Sequence, residues 1–139
     1  MSVIVSPHHI PTMTAMLLHP QHTYVHLAEN GTATALDGAR FWSQPEPDGK
    51  YDRGWLITEF AFAEDWPNWE MHPEGEEFVY LLAGALELHI ERDGRVDVIA
   101  LNDTGAVMIP RGLWHTAKVK APSRMLHVTR GAGTLHRPA

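Results

Sequence analysis

The amino-acid sequence predicts an all-β protein built from antiparallel strands. Segments with the apolar–polar alternation of strands are numerous and short, and clusters of Gly, Asp, Asn and Pro separate them, as at residues 29–31 and 92–94. No longer stretch shows the apolar period of about 3.6 residues that marks an amphipathic helix. Many short strands at even spacing are typical of a sandwich or a barrel.

The strands are predicted one by one from this pattern, and the turn at residues 93–94 is the clearest local feature. An Asp-Gly pair between two alternating segments favours a tight hairpin. The alternation then places Leu86, Leu88 and Ile90 on the core face and His89 on the outer face. The predicted strands are residues 23–27, 40–43, 55–62, 77–82, 86–91, 96–101, 106–109, 115–119 and 125–130.

Length and composition favour one ordinary globular domain. The chain has 139 residues, of which 44% are hydrophobic and 20% charged, enough to bury a core. The formal net charge of −6 argues against nucleic acid and anionic membranes as partners. No apolar run approaches the roughly 20 residues of a membrane span. The absence of cysteines excludes disulfides and thiolate zinc sites and, with an N-terminus unlike a signal peptide, fits a cytoplasmic protein.

The residues that could carry chemistry lie in two segments far apart in the sequence. In the first segment, Glu70 and His72 are two positions apart and share one face of a strand. Glu76 and Glu77 begin the next predicted strand, and periodicity alone does not decide which of them faces inward. In the second segment, His115 follows a Pro-x-Gly turn.

These residue types suit a divalent metal. Two imidazoles with one or two carboxylates form a donor set for Fe(II), Mn(II), Ni(II) or Zn(II), and two histidines with one carboxylate are the set of non-haem iron oxygenases. The alternative is a group of exposed charges at strand ends with no common ligand. Residue types alone do not separate the two interpretations.

Other residues are weaker candidates for a substrate pocket. His26 and His127 lie in predicted strands, either as hydrogen-bonded core groups or as pocket residues. Phe60 and Met108 could form apolar lining. Arg111, in the Pro-x-Gly turn, could hold an anionic group of a substrate or could simply be exposed. Histidines in polar or terminal stretches are expected at the surface; these are His8, His9, His19, His22 and His136.

The two segments resemble the two sequence motifs of the cupin superfamily. The first motif ends with a histidine, three or four residues, a glutamate, six residues and a glycine. His72, Glu77 and Gly84 match that spacing, which selects Glu77 from the two neighbouring carboxylates. The second motif contains Pro-x-Gly and, after two further residues, a histidine, as at residues 110–115. The resemblance covers residues 55–130.

The resemblance implies a single-domain cupin jelly-roll β-barrel. Residues 51–131 would form the barrel core with both motifs, and residues 132–139 a C-terminal tail. Residues 1–50 would supply N-terminal strands or an arm that completes the barrel or a dimer interface. Members of the family commonly form homodimers, so the resemblance also implies a homodimer. In it, residues 3–5 could add a strand to the sheet of the second copy.

The resemblance also implies one metal, Fe, Mn, Zn or Ni, held by Glu70, His72, Glu77 and His115. Glu70 departs from the first motif, which has a histidine at that position. It could be a ligand, a catalytic general base beside a three-ligand metal, or a sign that metal binding is lost and the barrel holds an organic ligand. Thr104 likewise replaces the opening glycine of the second motif.

Two classes of function follow from the resemblance. The first is a small metal-dependent enzyme, either dioxygenase-like or using other Lewis-acid chemistry on a small oxygenated organic substrate. The second is a non-catalytic module that senses a small molecule or a metal and acts through a partner protein. A barrel without any ligand is less favourable, because several buried charges without a metal are costly.

Overall fold

The computed structural model describes residues 9–10, 15–44, 46 and 49–139. The proposed exchange strand at residues 3–5, His8 and the side chain of His9 lie outside the described part of the chain. The elements are β1 (His9–Ile10), β2 (Thr23–Leu27), β3 (Ala33–Asp37), α1 (Gly38–Ser43), β4 (Trp55–Phe62), β5 (Asn68–Met71), β6 (Glu77–Arg92), β7 (Arg95–Asn102), β8 (Gly105–Ile109), β9 (His115–Thr129) and β10 (Leu135–Pro138).

The described strands form one antiparallel sheet that is not closed. Their order is β1-β3-β2-β4-β9-β5-β10, and β6 pairs with β7, β8 and β9. The two long strands, β6 with 16 residues and β9 with 15, pair with each other along most of their length. This arrangement confirms the predicted all-β, jelly-roll class. Among the described residues, no helix has the length and apolar character needed to cross a membrane.

The sequence pattern located several strands well. Residues 23–27 and 55–62 coincide with β2 and β4, and β7 and β8 slightly extend the predicted segments. The strands β1, β3 and β10 were not predicted, because they are short and lack regular alternation. The strand expected around Glu70 and His72 is β5, which ends at Met71, so His72 lies just beyond it. The C-terminal tail, to which the pattern assigns no element, forms β10 and pairs with β5.

The sequence pattern divides β6 and β9 into two strands each, whereas each is continuous in the structure. The two strands bend together where their register shifts, between Leu81 and Leu86 of β6. Gly84 lies in this bend with φ 106°. The amide of Ala85 donates a hydrogen bond of 3.1 Å to Ser123 Oγ on β9. The chain therefore changes direction without leaving the hydrogen-bonded sheet.

The predicted strand at residues 40–43 is wrong, because these residues belong to α1. The side chain of Asp37 accepts a hydrogen bond of 3.0 Å from a backbone amide three residues further on and so caps the helix. Phe41 and Trp42 both pack against Tyr24, with ring centroids 5.7 and 6.2 Å away. Residues 40–43 are therefore part of a short helix that places two aromatic rings against Tyr24 of β2.

The apolar core is centred on β6. Leu86, Leu88 and Ile90 are buried, as the alternation predicts, and they belong to one cluster with core residues of β7, β8 and β9. His89, on the opposite face, has a side chain that is 20% exposed. Trp66 joins the same cluster from the loop after β4 and is 7% exposed.

Replacing Gly84 by alanine should destabilise the protein by about 2–3 kcal/mol, because the positive φ strains an L-residue and the new Cβ meets the neighbouring strand. That Cβ would overlap the Pro122 carbonyl oxygen and Ser123 Oγ. Gly94 is the matched control: its φ is 76°, but a Cβ there would meet nothing within 4 Å. Gly94→Ala should therefore destabilise the protein by only about 1–2 kcal/mol. The measurement is the free energy of unfolding from chemical denaturation. Equal losses of stability in the two variants would contradict the importance of the close approach between Gly84 and β9.

Candidate metal centre

Three strands bring the four motif residues to one place. Glu70 lies on β5, His72 follows that strand directly, and Glu77 and His115 are the first residues of β6 and β9. Pairing between β5 and β9 places Glu70 opposite His115. The backbone amide of Gly112 donates a hydrogen bond of 3.0 Å to the carbonyl oxygen of His72. The two motif segments are therefore joined directly by backbone interactions.

The side-chain donor atoms of these residues converge. His72 Nε2 lies 3.8 Å from Glu70 Oε2 and 3.5 Å from Glu77 Oε2, and His115 Nε2 lies 3.2 Å from Glu77 Oε1. His72, Glu77 and His115 are buried, whereas the Glu70 side chain is 34% exposed. One donor atom each from Glu70, His72 and His115 lie within 4.8 Å of one another. This group could hold a metal ion.

The tautomer of His72 is set by a residue of the C-terminal tail. His72 Nδ1 lies 2.8 Å from Thr134 Oγ1, and that hydroxyl donates its own hydrogen to the Gly131 carbonyl oxygen, 2.8 Å away. The Thr134 oxygen can therefore only accept from His72, which places the ring proton on Nδ1. The lone pair of neutral His72 is then on Nε2, the atom that faces the carboxylates.

The tautomer of His115 is set in the same way by the backbone. His115 Nδ1 lies 3.0 Å from the Leu113 carbonyl oxygen, which can only accept a hydrogen bond. In neutral His115 the proton is therefore on Nδ1 and the lone pair on Nε2, as for a histidine that binds a metal through Nε2. In their neutral forms, both imidazoles therefore direct an unprotonated Nε2 atom toward the Glu77 carboxylate.

This arrangement fits a metal because its central atoms have no other partner. His72 Nε2, His115 Nε2 and Glu77 Oε1 are buried and make no hydrogen bond. Buried polar atoms without partners are costly, and lone pairs aimed at a carboxylate need a positive charge between them. A divalent cation bound by two imidazoles and carboxylates supplies that charge, and the donor types match Fe, Mn, Zn or Ni.

The surroundings of Glu77 keep its carboxylate ionised. Burial opposes ionisation, but hydrogen bonds with His115, His127 and His72 outweigh it and hold the pKa of Glu77 well below its ordinary value of 4.5. His72 and His115 can donate such a bond only when their Nε2 atoms are protonated, which is the state that a bound cation replaces. Burial likewise opposes protonation of His115, and the neighbouring Glu77 outweighs it and raises the pKa of His115 above 6.5. Thr129 Oγ1 also donates a hydrogen bond of 2.5 Å to Glu77 Oε2.

A cavity of about 460 Å³ lies beside these residues. Of the weaker pocket candidates, Phe60 and His127 line it. His26, Met108 and Arg111 do not line it, which corrects the expectation for this cavity. His26 Nε2 instead lies 2.5 Å from a backbone carbonyl oxygen, Met108 is 53% exposed on β8, and Arg111 is exposed in its turn. The lining consists of Phe41, Trp42, Tyr51, Asp52, Leu56, Thr58, Phe60, Phe62, Glu64, Asp65, Trp66, Pro67, Asn68, Glu70, His72, Glu77, His127, Thr129, Gly131, Thr134 and His136.

The sequence reasoning missed the C-terminal contribution to this site. His136, expected as an ordinary surface residue, lines the cavity with its Nε2 3.5 Å from Glu70 Oε1. The pairing of β10 with β5 places His136 opposite Glu70, and Thr134 precedes that strand. No periodic pattern marks such a short strand. A lone histidine near the terminus is the one signal that could have indicated it.

The protein has a cupin fold. No family model matches the chain, and no curated protein matches it. Its structure is similar to an oxalate oxidase (19% identity, 58% of this chain and 45% of that chain, TM-score 0.50). It is also similar to peruvianin-I, a cysteine peptidase from Thevetia peruviana latex (15% identity, 61% of this chain and 56% of that chain, TM-score 0.52). A cupin-2 domain protein from Shewanella frigidimarina aligns at 19% identity over 54% of this chain and 69% of that chain, with TM-score 0.46.

The similarities to the oxalate oxidase and to peruvianin-I show the fold alone. The chain spans 45% of the oxalate oxidase chain. The cupin fold nevertheless agrees with the convergence of the two motif segments described above.

Thr134→Val should weaken metal binding about 10- to 100-fold, because His72 then loses the partner that fixes its tautomer and ring orientation. Thr134→Ser keeps the hydroxyl and should bind as the wild type does. The measurement is the Zn(II) dissociation constant from competition with a chromophoric chelator. Equal affinities for the valine and serine variants would contradict the role of the hydroxyl.

Metal affinity should fall as the pH decreases through the raised pKa of His115. This histidine binds a metal only in its neutral form, and its pKa lies above 6.5, so protons compete already near neutral pH. Glu77 stays ionised in this range because its pKa is well below 4.5. The Zn(II) dissociation constant, measured from mildly alkaline to mildly acidic pH, should rise as the pH is lowered. A constant value would show that no histidine is a ligand.

Proposed function

We propose that the protein is a metal-dependent enzyme that acts on a small oxygenated organic substrate, with dioxygenase-like or other Lewis-acid chemistry. The observation that carries this proposal is that the Nε2 atoms of His72 and His115 are buried, lack a hydrogen-bond partner and face the carboxylate of Glu77. His72, Glu70 and Glu77 also form part of the wall of a cavity of organic-ligand size. The similar oxalate oxidase, at 19% identity, contributes only the fold to this proposal.

The ligands in this proposal are Glu70, His72, Glu77 and His115. A divalent metal held there would supply Lewis-acid activation of a substrate oxygen and, if redox-active, electrons. Glu77 suits a permanently ionised ligand, because it is 3% exposed and anchored by the Thr129 hydroxyl.

Glu70 differs from Glu77 in its access to solvent. Its side chain is 34% exposed and lies 3.5 Å from His136, whose side chain is 54% exposed. A carboxylate beside an exposed imidazole can pass a proton between the cavity and solvent. Glu70 can therefore act as a ligand, or as the group that moves a proton to or from a substrate.

A binding module that acts through a partner protein is the second candidate. The observation that favours it is the exposure of apolar side chains on β6 and on β7 and β8, the strands that pair with the two halves of β6. Tyr80, Val96, Val98 and Met108 are 38%, 47%, 51% and 53% exposed. Apolar surface of this kind suits a protein interface, either with a partner or with a second copy of this chain.

Protein purified without chelator should contain about one transition metal per chain. His72→Ala and His115→Ala should each lose it, because either change removes a buried imidazole ligand. His89→Ala is the matched control, since His89 lies on the outer face of β6. Elemental analysis of the variants and the wild type measures the outcome. Metal-free wild-type protein that cannot be reloaded would refute the metal site.

In the same preparations, turnover of a substrate from a panel of diketones, catechols and keto acids should stop on chelation and return with one metal. Glu70→Gln separates the two roles of that residue: loss of metal indicates a ligand, whereas retained metal with lost turnover indicates proton transfer. Metal-loaded protein that binds a panel member without consuming it would favour the binding module instead.

A further inference from the structure

We propose that the cavity beside the metal centre binds an uncharged phenol. Its ring would pack among the aromatic side chains around His127, and its hydroxyl group would donate a hydrogen bond to His127 Nε2. This inference rests on the proposed function for the metal at the cavity wall. It extends that function by naming the chemical class of the ligand.

The first observation is an aromatic enclosure around His127. The His127 ring lies 5.4 Å from Phe60, 6.1 Å from Phe62 and 5.9 Å from Trp66, measured between ring centroids. All four residues line the cavity of about 460 Å³. Small-molecule pockets span roughly 300–1,000 Å³, and a cavity of about 150 Å³ already holds benzene. The enclosure therefore has the size and surface for one aromatic ring, which packs well against other rings.

The second observation is the unpartnered nitrogen of His127. His127 is 6% exposed, and its Nε2 is buried without a hydrogen-bond partner. Its other ring nitrogen, Nδ1, lies 3.8 Å from Glu77 Oε2. A carboxylate on that side favours the proton on Nδ1, which leaves Nε2 as an acceptor. A ligand hydroxyl in the enclosure would satisfy this atom, whereas a ligand without a donor would leave it unpaired.

The third observation is the charge of the cavity wall. Its described lining contains the carboxylates Asp52, Glu64, Asp65, Glu70 and Glu77 and no Lys or Arg. A divalent metal neutralises two of these charges and leaves an excess of negative charge. Asp52, Glu64 and Asp65 are exposed, so solvent screens their repulsion of an anion, and Asp65 also pairs with Lys118. An anionic ligand would nevertheless meet no cationic side chain in the described lining and would face the buried carboxylate of Glu77. The wall therefore discriminates against carboxylates and in favour of neutral molecules.

Three matched probes test the inference on Zn(II)-loaded protein, because zinc is redox-inert and the ligand is not consumed. They are para-cresol, para-methylanisole, which lacks the hydroxyl donor, and para-hydroxybenzoate, which adds a negative charge. Isothermal titration calorimetry should show para-cresol binding about 3- to 10-fold more tightly than para-methylanisole. It should bind at least about 10-fold more tightly than para-hydroxybenzoate.

The variant His127→Phe keeps an aromatic ring but removes the acceptor. It should abolish the preference for para-cresol over para-methylanisole and leave the discrimination against para-hydroxybenzoate intact. His89→Phe, an equivalent change on the outer face of β6, should leave both preferences unchanged. If His127→Phe does not fold, the comparison of the three probes on the wild type still decides the matter.

Wild-type protein that binds para-methylanisole as tightly as para-cresol would overturn the hydrogen bond to His127. Equal or tighter binding of para-hydroxybenzoate would overturn the role of the wall charge. The zinc content of each sample separates this inference from the proposed function. Zinc-loaded protein without phenol binding refutes the inference alone, and zinc-free protein with the expected preferences refutes the metal centre alone.

Discussion

The site is organised around Glu77, a carboxylate that is 3% exposed at the start of the longest strand. Three imidazoles, His72, His115 and His127, come within 3.8 Å of its oxygens. An ionised carboxylate at this depth is tolerated only where positive charge or hydrogen bonds compensate its lost hydration. One threonine hydroxyl provides a single hydrogen bond, so most of the compensation must come from the imidazole side. A bound cation resolves this imbalance, and the pairing of β6 with β9 fixes the geometry in which it does so.

The C-terminal strand completes the site and is held by residues that directly precede two of the candidate ligands in the chain. β10 pairs with β5, and the Arg137 guanidinium lies over the rings of Trp69 and Trp114, 5.2 and 4.6 Å from their centroids. Arg137 also pairs with Glu91 at the end of β6. Cation–π contacts of this kind stabilise a partly exposed strand. They keep Thr134 beside His72, so the last residues of the chain control the orientation of a candidate ligand.

The metal centre and the aromatic enclosure share a wall but differ in chemistry. Glu77 contacts the candidate ligands on one side and His127 on the other, so one carboxylate fixes the tautomer of the cavity histidine and the charge of the metal site. Trp66 belongs to the apolar core and also lines the cavity. Stability and ligand recognition therefore depend on some of the same side chains, as is common where a pocket opens from a core.

The sequence by itself determined the all-β class, the strands β2 and β4, the inward face of Leu86 and Leu88, and the pair of motif segments. These features are local, because alternation and motif spacing are properties of consecutive residues. Only the tertiary structure decided that residues 40–43 form a helix, that β6 and β9 bend without breaking, and that the C-terminal tail reaches the candidate ligands. Each of these depends on contacts between residues distant in the chain: Tyr24 with the α1 rings, β6 with β9 at the bend, and Thr134 with His72. No periodicity encodes such contacts, since they arise from packing and hydrogen bonding across the folded sheet.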